Sequence, residues 1–108
     1  MTGQPAVVVF LVTAPSAAEG ERIAAALVEE RLAACVNVVP GVVSTFRWEG
    51  AVKREPEVLL IGKTRAERMP AVIARVQALH SYSVPEVLAL PILAGAGPYL
   101  AWLQDATA

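Results

Sequence analysis

Residues 35–64, CVNVVPGVVSTFRWEGAVKREPEVLLIGKT, decide the fold. They read as one long β-hairpin, with β-branched and apolar residues along both arms and a turn at Trp48-Glu49-Gly50-Ala51. Gly50 there supplies the positive φ of a G1-bulge turn. A tight turn makes facing residue numbers sum to about 99, which sets Phe46 opposite Lys53, Val43 opposite Pro56 and Cys35 near Thr64. Pro40-Gly41 on one arm and Pro56 on the other then interrupt the ladder at nearly one height, because proline has no N–H to donate. The inner zone, Cys35 to Val39 against Val58 to Lys63, belongs to the body of the sheet. The outer zone runs on for about six or seven residues per arm, a projection of about 20 Å. A two-stranded ribbon of that length is not stable alone in water, so the expected support is another subunit.

On the N-terminal side, Val7 to Thr13 is an apolar run bounded by Pro5 and Pro15, greasy on both faces and hence a central strand. Ser16 and Glu19 follow as an S-x-x-E capping box, in which each side chain satisfies the other's backbone N–H. Ile23, Leu27, Val28 and Leu32 form the apolar stripe of the helix they open. On the C-terminal side a second helix carries Val72, Ile73, Val76 and Leu79 on one face; Pro70 fits only its first turn, so the regular helix starts near Arg68. His80 to Ser83 is a connector. Pro85 to Leu93 is a fourth strand, bracketed by prolines and therefore at an edge, and Pro98 to Asp105 is a short last helix.

The order βαββαβ, with two helices on one face of an antiparallel sheet and an extra C-terminal helix, predicts an α+β, ferredoxin-like sandwich with strand order 4-1-3-2. The 108 residues make one domain, 1–108, with residues 1–5 expected to be flexible. Hydrophobic residues are 56% and charged ones only 18%, more apolar surface than so short a chain can bury by itself. Disorder is excluded on the same grounds. A net charge of −1 gives no electrostatic case for a nucleic-acid or membrane partner. No run is long enough to span a bilayer, no basic residue precedes Ala6 to Ala14 as a signal peptide requires, and a lone cysteine suits a reducing compartment; the expected location is the cytoplasm.

Chemistry-bearing residues are few. The chain has no C-x-x-C pair, no phosphate-cradling glycine loop and no aromatic strand beside a basic groove. Cys35 is either a buried small hydrophobe or a soft ligand for a thiophilic ion. His80 either caps the second helix or binds a metal. Together they form a conceivable Cys-His nucleophile pair. Glu57 suits a solvated edge, and Lys63 suits a cleft or a carboxylate partner. Trp48, at the ribbon tip, suits an interface, and Tyr82 and Glu86 stand ready beside His80.

Ala33-Ala34-Cys35-Val36-Asn37, Pro40-Gly41, Ser44 through Phe46, Trp48, Gly50, Glu57, Lys63-Thr64, His80, Tyr82, Pro85-Glu86, Pro91 and Tyr99-Leu100-Ala101-Trp102 together resemble the CutA family of divalent-cation tolerance proteins. The resemblance runs from about Val7 to Leu103. It implies a ferredoxin-like protomer in a homotrimer built like the PII signalling proteins, cytoplasmic, not an enzyme, and associated with copper or another divalent metal. Some relatives place ligands where this chain has Val12 and Leu79, neither of which binds metal. The metal reading therefore rests on His80 and Cys35. The alternative is a PII-like trimer binding a small ligand in an inter-subunit cleft through Trp48, Glu57, Lys63, Tyr82 and Glu86.

Overall fold

The computed structural model describes residues 6–108; the expectation of a flexible 1–5 lies outside the described residues. The elements are β1 (Val7–Ala14), α1 (Ala17–Glu29), β2 (Cys35–Trp48), β3 (Ala51–Arg65), α2 (Met69–Leu79) preceded by a 3₁₀ turn, β4 (Leu88–Pro91) and α3 (Gly97–Ala106). One four-stranded sheet has the order β2-β3-β1-β4, antiparallel throughout, as the βαββαβ pattern requires.

Alternation along the central strands separates the two sheet faces. Val8, Phe10, Val12 and Ala14 of β1, with Val58 and Leu60 of β3, turn inward beneath Ile23 and Leu27 of α1 and Val72 and Val76 of α2. Two residues read as helix stripe, Val28 and Ile73, are exposed instead, because each stripe is narrower than its apolar pattern and ends at the sheet's width. Gly62 admits the core's largest ring: a Cβ there would fall 2.0 Å from Phe10 Cζ, so a side chain at 62 and the Phe10 ring exclude each other. Leu103 of α3 forms a second small cluster with Val7 and Ala34. Arg65 and Arg68 donate to the carbonyls of Gln104 and Thr107, tying down the C-terminal end of α3 where cations are favoured.

The hairpin keeps the expected register in its outer zone, with Phe46 opposite Lys53 and Val43 opposite Pro56. Between Val39 and Val42 it shifts, Pro40 and Gly41 standing against Val58 alone, with Gly41 at φ 78°. This β-bulge moves the inner register by one residue, so Cys35 faces Lys63 rather than Thr64. The turn also differs from the expected G1 bulge. Trp48 pairs directly with Ala51, and both Glu49 (φ 50°) and Gly50 (φ 80°) are left-handed, the two-residue turn whose twist matches its strands. The edge strand β4 is shorter than 85–93, since the segment before Leu88 runs beside β1's end as connector. The Cα radius of gyration is 14.5 Å, against about 13 Å for a compact chain of this length, and the longest dimension is 45 Å. The ribbon projects as the sequence predicts.

Substituting Gly62→Ala is expected to cost about 1–3 kcal/mol, the range for overpacking a core. Urea unfolding at fixed protein concentration checks it, and unchanged stability would mean that Phe10 does not fill that space.

Candidate functional site

The connector after α2 is held by long-range hydrogen bonds. The His80 N–H caps the helix on the Val76 carbonyl at 2.8 Å. The buried His80 ring spends both nitrogens. Nε2 lies 2.7 Å from the Thr13 carbonyl oxygen, which only accepts, and Nδ1 lies 3.0 Å from the Tyr82 backbone N–H, which only donates. Nε2 therefore donates to Thr13 and Nδ1 faces the Tyr82 N–H, with the nearer Glu19 carboxylate oxygen 3.4 Å from Nδ1. Ser81 donates from its backbone N–H and its hydroxyl, both at 2.9 Å, to the Glu19 carboxylate. The expected capping box is therefore half formed: the Glu19 N–H donates to Ser16 Oγ at 3.2 Å, but the Glu19 side chain serves Ser81 instead. Burial alone would raise the Glu19 pKa. The two bonds from Ser81, with smaller contributions from His80 and Arg22, outweigh it and hold the carboxyl below its ordinary value.

Tyr82 connects this anchor to the ribbon. Its ring tilts against His80 at a centroid distance of 4.7 Å, and its hydroxyl donates to Glu57 at 2.8 Å. Burial first, then the bond to Glu57 and the surrounding carboxylates, push the phenol up to about 12. Beside this pair lies an open groove of about 820 Å³ between the ribbon and the connector. Cross-strand pairing puts Ser44, Phe46 and Trp48 on the same ribbon face as Lys53, Glu55 and Glu57, and all six line the groove, with Tyr82 and Glu86 opposite. Burial, then the charge of Glu57, raise the Glu86 carboxyl above its ordinary value.

Of the residues singled out from sequence, Trp48, Glu57, Tyr82 and Glu86 come together here. Lys63 does not. It stands across from Cys35 on the sheet face that the helices leave open and donates to Asn37. Lys53 is the cation that lines the groove; it lies on the same strand as Lys63 but in the ribbon, opposite Phe46. Cys35 and His80 are not brought together either. Thr13, on which His80 rests, and Val9, which pairs with Lys63 beside Cys35, lie four residues apart along β1, about 13 Å. Among the described residues no three His, Cys, Asp or Glu side chains converge to hold a metal ion. With both His80 nitrogens committed, the donors do not fit a copper ion held by His80 and Cys35 within one protomer. The residue that the sequence reading missed is Glu19, whose helix-cap signature hid its role as the anchor of Ser81.

Glu19→Ala is expected to cost about 1–3 kcal/mol at pH 7, because both donors of Ser81 lose their acceptor. The folded pKa of Glu19 lies below its ordinary 4.5, so its contribution holds above that pH and fades as pH falls through the folded value. Urea unfolding at pH 7 and pH 3 should show the variant losing less stability on acidification than the wild type. Parallel losses would contradict the assignment.

The family model described as CutA1 divalent ion tolerance protein matches residues 8–106. The divalent-cation tolerance protein CutA of Thermus thermophilus is 52% identical over 99 residues, covering 92% of this chain and 96% of that protein. The chloroplastic protein CutA of Arabidopsis thaliana is 48% identical over 103 residues, which are 95% of this chain but only 56% of that protein. The solved structure of the Thermus thermophilus protein superposes with a TM-score of 0.92 at 51% identity, covering 94% of this chain and 99% of that one. With a match spanning every element from β1 to α3, the chain belongs to the CutA1 divalent ion tolerance family.

Proposed function

We propose that the protein serves divalent-cation tolerance as a cytoplasmic homotrimer that catalyses no reaction, with the groove beneath the ribbon as its working surface. One observation carries this reading: the groove's outer wall is the part of the chain that its own protomer does not support. Val43 and Val52, on the ribbon face turned away from the groove, are 54% and 64% exposed, and Leu93 beyond β4 is wholly exposed. Apolar area of this kind is buried by association. The number three rests on the resemblance to PII-like trimers.

The groove favours a small-ligand reading beside the metal one. Its lining combines aromatic faces with charges of both signs, the composition of a site for an organic molecule, whereas the described residues of one protomer assemble no three-donor chelate. Cys35, half-buried on the open face, is the soft donor left for a thiophilic ion.

Sedimentation equilibrium should give a mass near three times the 11.4 kDa chain; a species at 11.4 kDa would overturn the assembly. Titration with Cu(I) under reducing conditions separates the metal donors. Heat is expected to fall in Cys35→Ser and to match the wild type in His80→Ala. Loss in His80→Ala alone would place the ion on the imidazole.

A further inference from the structure

The groove carries more information than its size. Its charges are graded along the ribbon. Lys53, the one cation among the lining residues, pairs across the strands with Phe46 toward the tip, while Glu55 and Glu57 follow inward, and Glu86 faces them from the connector. Phe46 and Trp48 occupy the same outer stretch on the ribbon face, while Tyr82 stands at the inner end with its hydroxyl on Glu57. Trp48 is 41% exposed, so much of its ring is free to contact a ligand.

Glu57 sharpens the picture. It is more than nine-tenths buried, and one of its carboxylate oxygens accepts from the Tyr82 hydroxyl. The other has no hydrogen-bond partner among the described residues. Since no fully buried side-chain oxygen among them lacks a partner, this one keeps some access to solvent, and Glu57 is among the residues lining the groove. A nearly buried carboxylate with one oxygen open in this way is a preformed acceptor for a charge-assisted donor. Glu86, whose carboxyl burial and then the charge of Glu57 raise above its ordinary value, gains from any cation set between the two.

A bare divalent ion is the weaker fit. It needs several oxygen ligands converging at short distance, and no three carboxylates among the described residues do so. Aromatic walls offer it nothing in exchange for its water. A weakly hydrated ammonium on an apolar body uses both features, since the charge meets carboxylates and ring faces and the body lies on the aromatics.

We propose that the groove binds an extended organic ammonium ion, its charged end between Glu57 and Glu86 and its apolar body along Phe46 and Trp48. The pairing of Lys53 with Phe46 at the outer end repels the ammonium there and orients the ligand inward. Successive groove-facing residues lie about 7 Å apart along a strand, so a body of that length or more reaches from the carboxylates to the aromatic pair. The inference rests on the groove being the binding surface and adds the chemical class of what enters it.

Calorimetric titration of the full-length protein with phenethylammonium chloride, sodium 3-phenylpropionate and zinc chloride tests it, the first two being one aromatic body with opposite charges. Phenethylammonium is expected to bind at least about tenfold more tightly than 3-phenylpropionate, a difference of about 1.4 kcal/mol. Glu57→Gln, which still offers Tyr82 an acceptor, and Trp48→Ala should each weaken it about tenfold or more, and Lys63→Ala should leave it unchanged. Equal affinity for the two organic ions, no amine binding up to about 10 mM, or amine binding indifferent to both Glu57→Gln and Trp48→Ala overturns the proposal. Zinc heat that Glu57→Gln abolishes, with none from the amine, reassigns the groove to a bare ion. Sedimentation of the same samples reports separately on assembly, so a failed ligand class and a failed assembly are told apart.

Discussion

Two residues of β2, Pro40 and Gly41, stand against one residue of β3, Val58, and this bulge decides which side chains meet. Side chains alternate along a strand, so a one-residue offset exchanges the faces of everything beyond it. With the bulge, Val42, Ser44, Phe46 and Trp48 share a face with Glu57, Glu55 and Lys53. Without it, Val43, Thr45 and Arg47 would take their places, and the groove would be lined by a valine and a second cation. Gly41 is suited to the task because its φ of 78° lies where a side chain is strained. The same bulge marks where the ribbon leaves the body of the sheet.

Much of this was legible in the sequence because it is local or periodic. The strand order follows from which runs are apolar on both faces, and the outer register follows from a short turn and two prolines. Ser16 was readable as a cap since its partner lies three residues away. What was not legible depends on contacts between distant positions. Glu19 meets Ser81 across 62 residues, and His80 meets Thr13 across 67. Neither pairing leaves a periodic trace, so Glu19 read as half of a capping box and His80 as a free cap or ligand. Lys63 and Lys53 share a strand, and which of them lines the groove depends on where the connector of Tyr82 and Glu86 comes to lie, again a contact between distant positions.

The site grows from the core outward. Glu19 on α1 fixes Ser81, Thr13 on β1 fixes the His80 ring, and that ring supports Tyr82, which in turn holds Glu57. Four elements thus converge to hold one carboxylate that lines the groove. His80 works here as a rigid spacer, its two nitrogens spent on backbone groups. Its conspicuousness in a chain with a single histidine reflects this packing role at least as well as metal binding.

The central claim is that the ribbon is stable only because something outside its own protomer packs on it. Hydrogen exchange of the backbone amides of residues 42–56, followed in the assembled protein, tests this most directly. The account predicts protection within reach of that of the body strand at residues 58–64. Exchange at the rate of an unsupported two-stranded ribbon, with the body strand still protected, would contradict it.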